Sequence, residues 1–111
     1  MGGRKSKSSY LQGTVEILVL KVLSRGPLHG YGIAKWIAGE TDGVLELEDA
    51  ALYQGLHRME ARGWIEAQWG RTDTGRRAKL YRLTPSGKKR LAKESEGFRD
   101  FAAAVLKVLG T

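Results

Sequence analysis

Apolar positions along the chain fall into blocks of different spacing, and each spacing predicts an element. In the first block Val15, Ile17, Leu18, Val19, Leu20, Val22 and Leu23 follow almost without interruption. That pattern predicts a helix apolar nearly all round, the central helix of a core. Thr14 is placed to cap it and Glu16 to sit in its first turn. Arg25-Gly26-Pro27 stops it, because Gly suits a helix end and Pro forbids continuation. A second helix is predicted over about 30–40, with Ile33 and Ile37 inward, Trp36 a further inward candidate and Lys35 outward.

Thr41-Asp42-Gly43 reads as a turn, and the alternation Leu45-Glu46-Leu47 as a very short strand. Asp49 is the expected N-cap of a third helix over 50–62, stopped by Gly63. Leu52, Leu56 and Met59, spaced i, i+4 and i+7, form its inward stripe. Ala50, Gln54, His57, Arg58 and Ala61 lie opposite, with Tyr53 at the edge between the faces. Two β-like runs follow, 64–69 and 78–83, joined by the loop GRTDTGRR. Ile65, Ala67 and Trp69 share one face of the first run, as do Tyr81 and Leu83 of the second.

Thr84-Pro85 gives an N-cap followed by Pro at the first helical position, which opens a helix running to Leu109 before Gly110. Within it Leu91, Phe98 and Val105 are seven apart, Phe101 and Val108 fill the positions three further on, and Glu94 interrupts the pattern. This stripe is expected to face a partner subunit. The order predicts a mainly α fold with a small β-hairpin, a winged helix-turn-helix followed by a long C-terminal dimerisation helix. Its expected parts are a flexible basic arm over 1–10, a DNA-binding domain over 11–83 and the dimerisation helix over 84–111.

Charge sharpens this picture. Residues 71–90 hold eight bases against Asp73 alone, a net of +7, which equals the net charge of the whole 111-residue chain. The rest of the sequence therefore sums to zero, and the excess sits on the hairpin and the start of the last helix. A basic hairpin after three core helices is suited to lie against phosphates, so a polyanion, most simply duplex DNA, is the expected partner. Arg71, Arg76, Arg77 and Lys79 are the phosphate-contact candidates; Arg82 is expected to point outward, and Lys88 to Arg90 to solvate a helix face.

The remaining composition mainly excludes. The length suits one domain, and no apolar run approaches the ~20 residues that span a bilayer. With no cysteine there is no disulfide, thiolate nucleophile or Cys-based zinc site, which fits a reducing cytoplasm. His29 and His57 are the only histidines and lack metal-binding spacing. No catalytic constellation, metal site or cofactor is expected. Trp36, Trp64 and Trp69 read as core or subunit-contact residues, with an aromatic-lined effector pocket as the open alternative.

LQGTVEILVLKVLSRGPLHGYGIAKWI, ALYQGLHRMEARGWIEA and RRAKLYRLTPSGKKRL together resemble the PadR family of bacterial transcriptional regulators, from Leu11 to about Leu91, in its compact branch. The family's G-Y-x-I-A is Gly30-Tyr31-Gly32-Ile33-Ala34 here, and its S-L-Y-P-x-L-x-x-L-E is Ala51-Leu52-Tyr53-Gln54-Gly55-Leu56-His57-Arg58-Met59-Glu60. Ala51 stands where a hydroxyl residue is usual and Gln54 where proline is. The ending Y-x-L-T-x-x-G is intact as Tyr81 to Gly87. The resemblance implies a homodimeric repressor on a two-fold symmetric operator, with a recognition helix in the major groove and relief by an effector or stress signal. It adds Tyr31, Lys35, Ala51 and Tyr53 to Gln54, His57 and Arg58 as DNA-contact candidates. A winged-helix module that binds only protein, an RNA-binding winged helix and an enzyme are the rival classes.

Overall fold

The structure, a computed structural model, describes the backbone of residues 3–110 and side chains from residue 13 on. Its elements are α1 (Gly3–Leu23), β1 (Leu28–His29), α2 (Gly30–Glu40), α3 (Asp49–Ala61), β2 (Ile65–Arg71), β3 (Arg77–Leu83) and α4 (Pro85–Leu109). The strands form one antiparallel sheet in the order β1-β3-β2. Three helices, a small sheet and a long last helix match the winged helix-turn-helix expected from the pattern.

The core is built by the predicted stripes. Val19 and Leu20 of α1, Ile33 and Ile37 of α2, Leu52, Leu56 and Met59 of α3 and Ile65 of β2 are all buried to within about one per cent. Each contributes roughly 1.5–3 kcal/mol by leaving water. α1 and α3 approach closely at Gly55, where an added Cβ would lie 3.3 Å from Val15 Cγ1. Tyr81 of β3 is also buried, and burial, with the Glu60 carboxylate and Tyr53 nearby, pushes its phenol above the usual tyrosine range.

Several expectations are corrected. α1 starts at Gly3, not at Thr14, so the part of the expected flexible arm from residue 3 on has helical backbone; Met1 and Gly2 lie outside the described residues. Once the apolar half of the helix is nucleated by packing, each further turn adds hydrogen bonds at little cost. Leu45 to Leu47 is a loop rather than a strand. Leu45 and Leu47 still reach the core, and Thr41 Oγ1 accepts from Leu45 N at 3.0 Å, so the alternation reflects burial without a ladder.

The N-cap of α3 is Glu48, with no side-chain cap bond, and Asp49 is the first helical residue. The sequence pattern also misses the pairing at β1, where Leu28 faces Tyr81 and His29 faces Leu80. Two residues beside a Pro carry no readable period. Thr84 forms the junction between wing and last helix: its Oγ1 accepts from Gly87 N at 3.0 Å and lies 2.6 Å from Gly63 O. The T-x-x-G ending is thus a working cap that also ties α4 to the end of α3.

Candidate nucleic-acid interface

The outward face of α3 is the first part of the candidate surface. Helical spacing that buries Leu52, Leu56 and Met59 turns Ala50, Ala51, Tyr53, Gln54, His57 and Ala61 to solvent. Ala50, Tyr53, Gln54, His57 and Arg58 line a shallow open concavity of about 600 Å³. Arg58 differs from its neighbours. It is only partly exposed, and its Nε donates to Glu16 Oε2 of α1 at 3.2 Å.

α2 joins this face through Tyr53. Gly30 lacks the side chain that would meet the Tyr53 ring, since a Cβ there would stand 2.5 Å from the hydroxyl oxygen. Tyr53 is held on the first turn of α2 and remains about half exposed. The next residue, Tyr31, is 66% exposed, and Lys35 Nζ lies 5.8 Å from its ring centroid. Tyr31, Lys35 and Tyr53 therefore come together at one end of the helix-turn-helix. His29 caps α2, its Nδ1 accepting from Gly32 N at 3.3 Å, which is a structural use of that histidine.

The wing is sorted by strand parity. Arg77, Lys79, Tyr81 and Leu83 alternate onto the same face of β3, the face that turns toward the core at its lower end. The register pairs Trp69 with Lys79 and Arg71 with Arg77, so these four share that face beyond the core. Three contacts agree: the Arg77 guanidinium stacks 4.2 Å from the Trp69 ring centroid, Lys79 Nζ lies 5.8 Å from the Tyr81 ring, and Lys79 reaches Glu60 of α3 at 3.8 Å. Arg82 lies on the opposite face, paired with Glu66 at 2.9 Å. Arg71 Nη1 donates to Gly75 O at 2.8 Å and braces the turn, beside the exposed Arg76.

Two features qualify the surface expected from sequence. Glu48 and Asp49 stand at the N-terminus of α3, so carboxylates already complement the helix dipole there and would repel an incoming phosphate. Anchoring at Tyr53 is then left to its hydroxyl and to the neighbouring α2 turn. Trp69 is 56% exposed rather than in the core, where the Arg77 guanidinium lies over its ring. Trp64 is partly buried between the guanidinium groups of Arg62 and Arg90, at 5.2 and 4.6 Å, and Arg25 covers Trp36 at 5.2 Å. The role of Glu16 could not be found in sequence, since its partner lies 42 residues away.

α4 carries the candidate pairing surface. Leu91, expected on the partner-facing stripe, packs against the protomer's own core. The same helix face emerges into solvent from Phe98 on, where Phe98, Phe101, Val105 and Val108 are exposed, together with Leu106 and Leu109, which the sequence reading missed. Spacing from Phe98 to Val105 to Leu109, i, i+7 and i+11, would have pointed to Leu109. Glu94, which breaks the apolar pattern, is paired with Arg90 at 2.9 Å. No helix among the described residues is long and apolar enough to cross a membrane.

Comparison with known proteins agrees with this arrangement. A transcriptional regulator from Clostridium thermocellum superposes with a TM-score of 0.80 at 29% identity, covering 89% of this chain and 96% of its own. A PadR family transcription regulator from Clostridium difficile gives 0.72 at 28% identity, with 86% and 98% covered. The crystal structure of Bacillus subtilis PadR in complex with operator DNA gives 0.62 at 27% identity, covering 70% of this chain and 44% of that one. The profile described as the Transcriptional regulator PadR-like family matches residues 19–93, the span that holds the helix-turn-helix, the wing and the start of α4. The chain belongs to the PadR-like family of transcriptional regulators, which are not enzymes.

Proposed function

We propose that the protein is a homodimeric, sequence-specific DNA-binding repressor that occupies a two-fold symmetric operator and is released by a small-molecule effector in the cytoplasm. The observation that carries DNA binding is that the exposed face of α3 and the basic, Trp69-bearing face of the wing are linked through Lys79 and Glu60. A related PadR bound to operator DNA supports the same use of the fold. Residues 11–83 make the DNA contacts in this reading and 84–111 the pairing, with Leu91 also completing the protomer core. Repression and effector release rest on the family resemblance. A protein-binding module would leave the charge of the wing without a purpose. Selection of bound sites from random duplex DNA tests the reading: a two-fold symmetric motif is expected, and recovery of no motif would sink it.

Within this reading the wing arginines act as phosphate contacts. Each adds about 0.9 to the slope of log affinity against log salt. Arg76→Ala with Arg77→Ala is expected to flatten the slope by about 1.8, measured by titration across a salt series. An unchanged slope with lower affinity would mean that the arginines act in some other way.

On α3, Tyr53 anchors the backbone while Gln54 and Arg58 reach toward base edges, where the Gln54 carboxamide bonds adenine through two atoms. Tyr53→Phe should weaken binding about equally on every sequence. Gln54→Ala should lose ~1–3 kcal/mol of discrimination at one symmetric pair of operator positions and little on non-specific DNA. The check is a panel of single-base operator variants at fixed salt. A Gln54→Ala profile parallel to wild type would remove Gln54 from base reading and leave it to Arg58 or His57.

A further inference from the structure

Glu16 is the most buried ionisable group in an α1–α3 cluster that the sequence pattern did not reveal. Its side chain is 17% exposed and its Oε2 receives Arg58 Nε at 3.2 Å and Arg62 Nη1 at 3.7 Å. The backbone brings this about: the bare surface of Gly55 lets α3 approach Val15, which places the next residue, Glu16, beside Arg58. Gly55 also leaves room over which the guanidinium lies, Nη2 being 3.6 Å from the position a Cβ would take.

The two arginines are not equivalent. Arg62 is the C-cap of α3 and lies over the Trp64 ring. Arg58 borders the outward concavity with Gln54 and His57. Its bond to Glu16 uses Nε, and the terminal amino groups of the fork lie outside that bond. Those are the atoms that meet guanine O6 and N7 in the major groove. A long side chain held by a carboxylate loses less freedom when it docks, and a fixed fork discriminates better than a mobile one.

We infer that Glu16 is a positioning residue for sequence reading: it clamps Arg58 so that the guanidinium is presented to a guanine at one symmetric pair of operator positions. This rests on the DNA-binding reading above. It differs from a plain helix-helix ion pair, which would affect stability and binding to all sequences alike.

The test is the single-base operator panel at fixed salt, applied to wild type, Glu16→Gln, Glu16→Asp, Arg58→Ala and the double variant Glu16→Gln/Arg58→Ala. Arg58→Ala is expected to lose roughly 5- to 150-fold discrimination at one G·C pair of positions. Glu16→Gln should lose several-fold at that same pair and keep its profile elsewhere, with Glu16→Asp between it and wild type. The double variant should match Arg58→Ala there, because the clamp has nothing left to hold. If Glu16→Gln does not stay folded at the assay temperature, the Glu16→Asp profile decides. A profile parallel to wild type, a uniform change on every sequence in either direction, or additive losses in the double variant would each overturn the inference. Failure of wild type to prefer any duplex is a separate result, which removes the DNA-binding reading and this inference with it.

Discussion

If the protein is the proposed homodimer, Phe101→Asp is expected to shift it to monomer at micromolar concentration and to lower operator affinity by roughly ten- to a hundredfold. The face of α4 that enters the core at Leu91 continues as an exposed stripe of Phe98, Phe101, Val105, Leu106, Val108 and Leu109. Phe101 is 51% exposed at its centre. A second copy related by a two-fold axis would bury it twice. Full burial of an aromatic side chain is worth ~1.5–3 kcal/mol and about half of Phe101 remains to be covered, so loss of both sides weakens pairing by roughly 1.5–3 kcal/mol. A carboxylate at the same point adds a desolvation cost. In that reading the monomer keeps one half-site, so operator binding falls with pairing. Sedimentation equilibrium and circular dichroism of both proteins check this. A wild-type monomer at micromolar concentration would sink it.

The elements whose chemistry is local are legible in the amino-acid sequence. Leu52, Leu56 and Met59 announce the inward side of α3, and Thr84-Pro85 marks the start of α4 at the residue where it begins. The hairpin is legible too, within one residue at the start of either strand. What stays hidden depends on where neighbouring elements stop. Trp69 has the parity of Ile65 and Ala67, and parity does not say that the core gives out before it is reached. Leu91 has the period of the exposed α4 stripe, yet it is partly buried against the protomer's own core. Contacts across the chain are hidden for a plainer reason. Nothing near Glu16 in sequence names Arg58, and nothing near Leu28 names Tyr81.

Charge has a similar blind spot. A count takes the hairpin bases as one set, but pairing divides them: Arg82 is neutralised by Glu66 on one face, while Arg71, Arg77 and Lys79 gather round Trp69 on the other. The division depends on strand register, which a count of residues does not contain.

Two glycines of α4 give the last prediction, because the same substitution should act in opposite directions at them. At Gly97, exposed and with nothing among the described residues within 4 Å of an added Cβ, alanine restricts the unfolded chain and suits a helix. Gly97→Ala should therefore stabilise by roughly 0.5–1 kcal/mol. At Gly87 the gain in propensity is the same, but an added Cβ would collide with the Trp64 carbonyl oxygen and stand 2.8 Å from Leu83 Cδ1. The colliding atom is backbone, held by the Thr84 N–H at 3.1 Å, so it cannot turn aside like a flexible side chain. Relief requires α4 to move off the hairpin, which breaks the Thr84 cap on Gly87 N and loosens the contact of the helix with the core. Gly87→Ala should destabilise by ~2 kcal/mol or more despite the better helix former. Thermal melts of the two variants at equal protein concentration give the signs. The displaced junction should also re-aim the wing, so Gly87→Ala is expected to weaken duplex binding even where it is fully folded, and Gly97→Ala to leave it unchanged. A Gly87→Ala melt at or above that of wild type would mean that α4 and the hairpin are not locked together at this carbonyl.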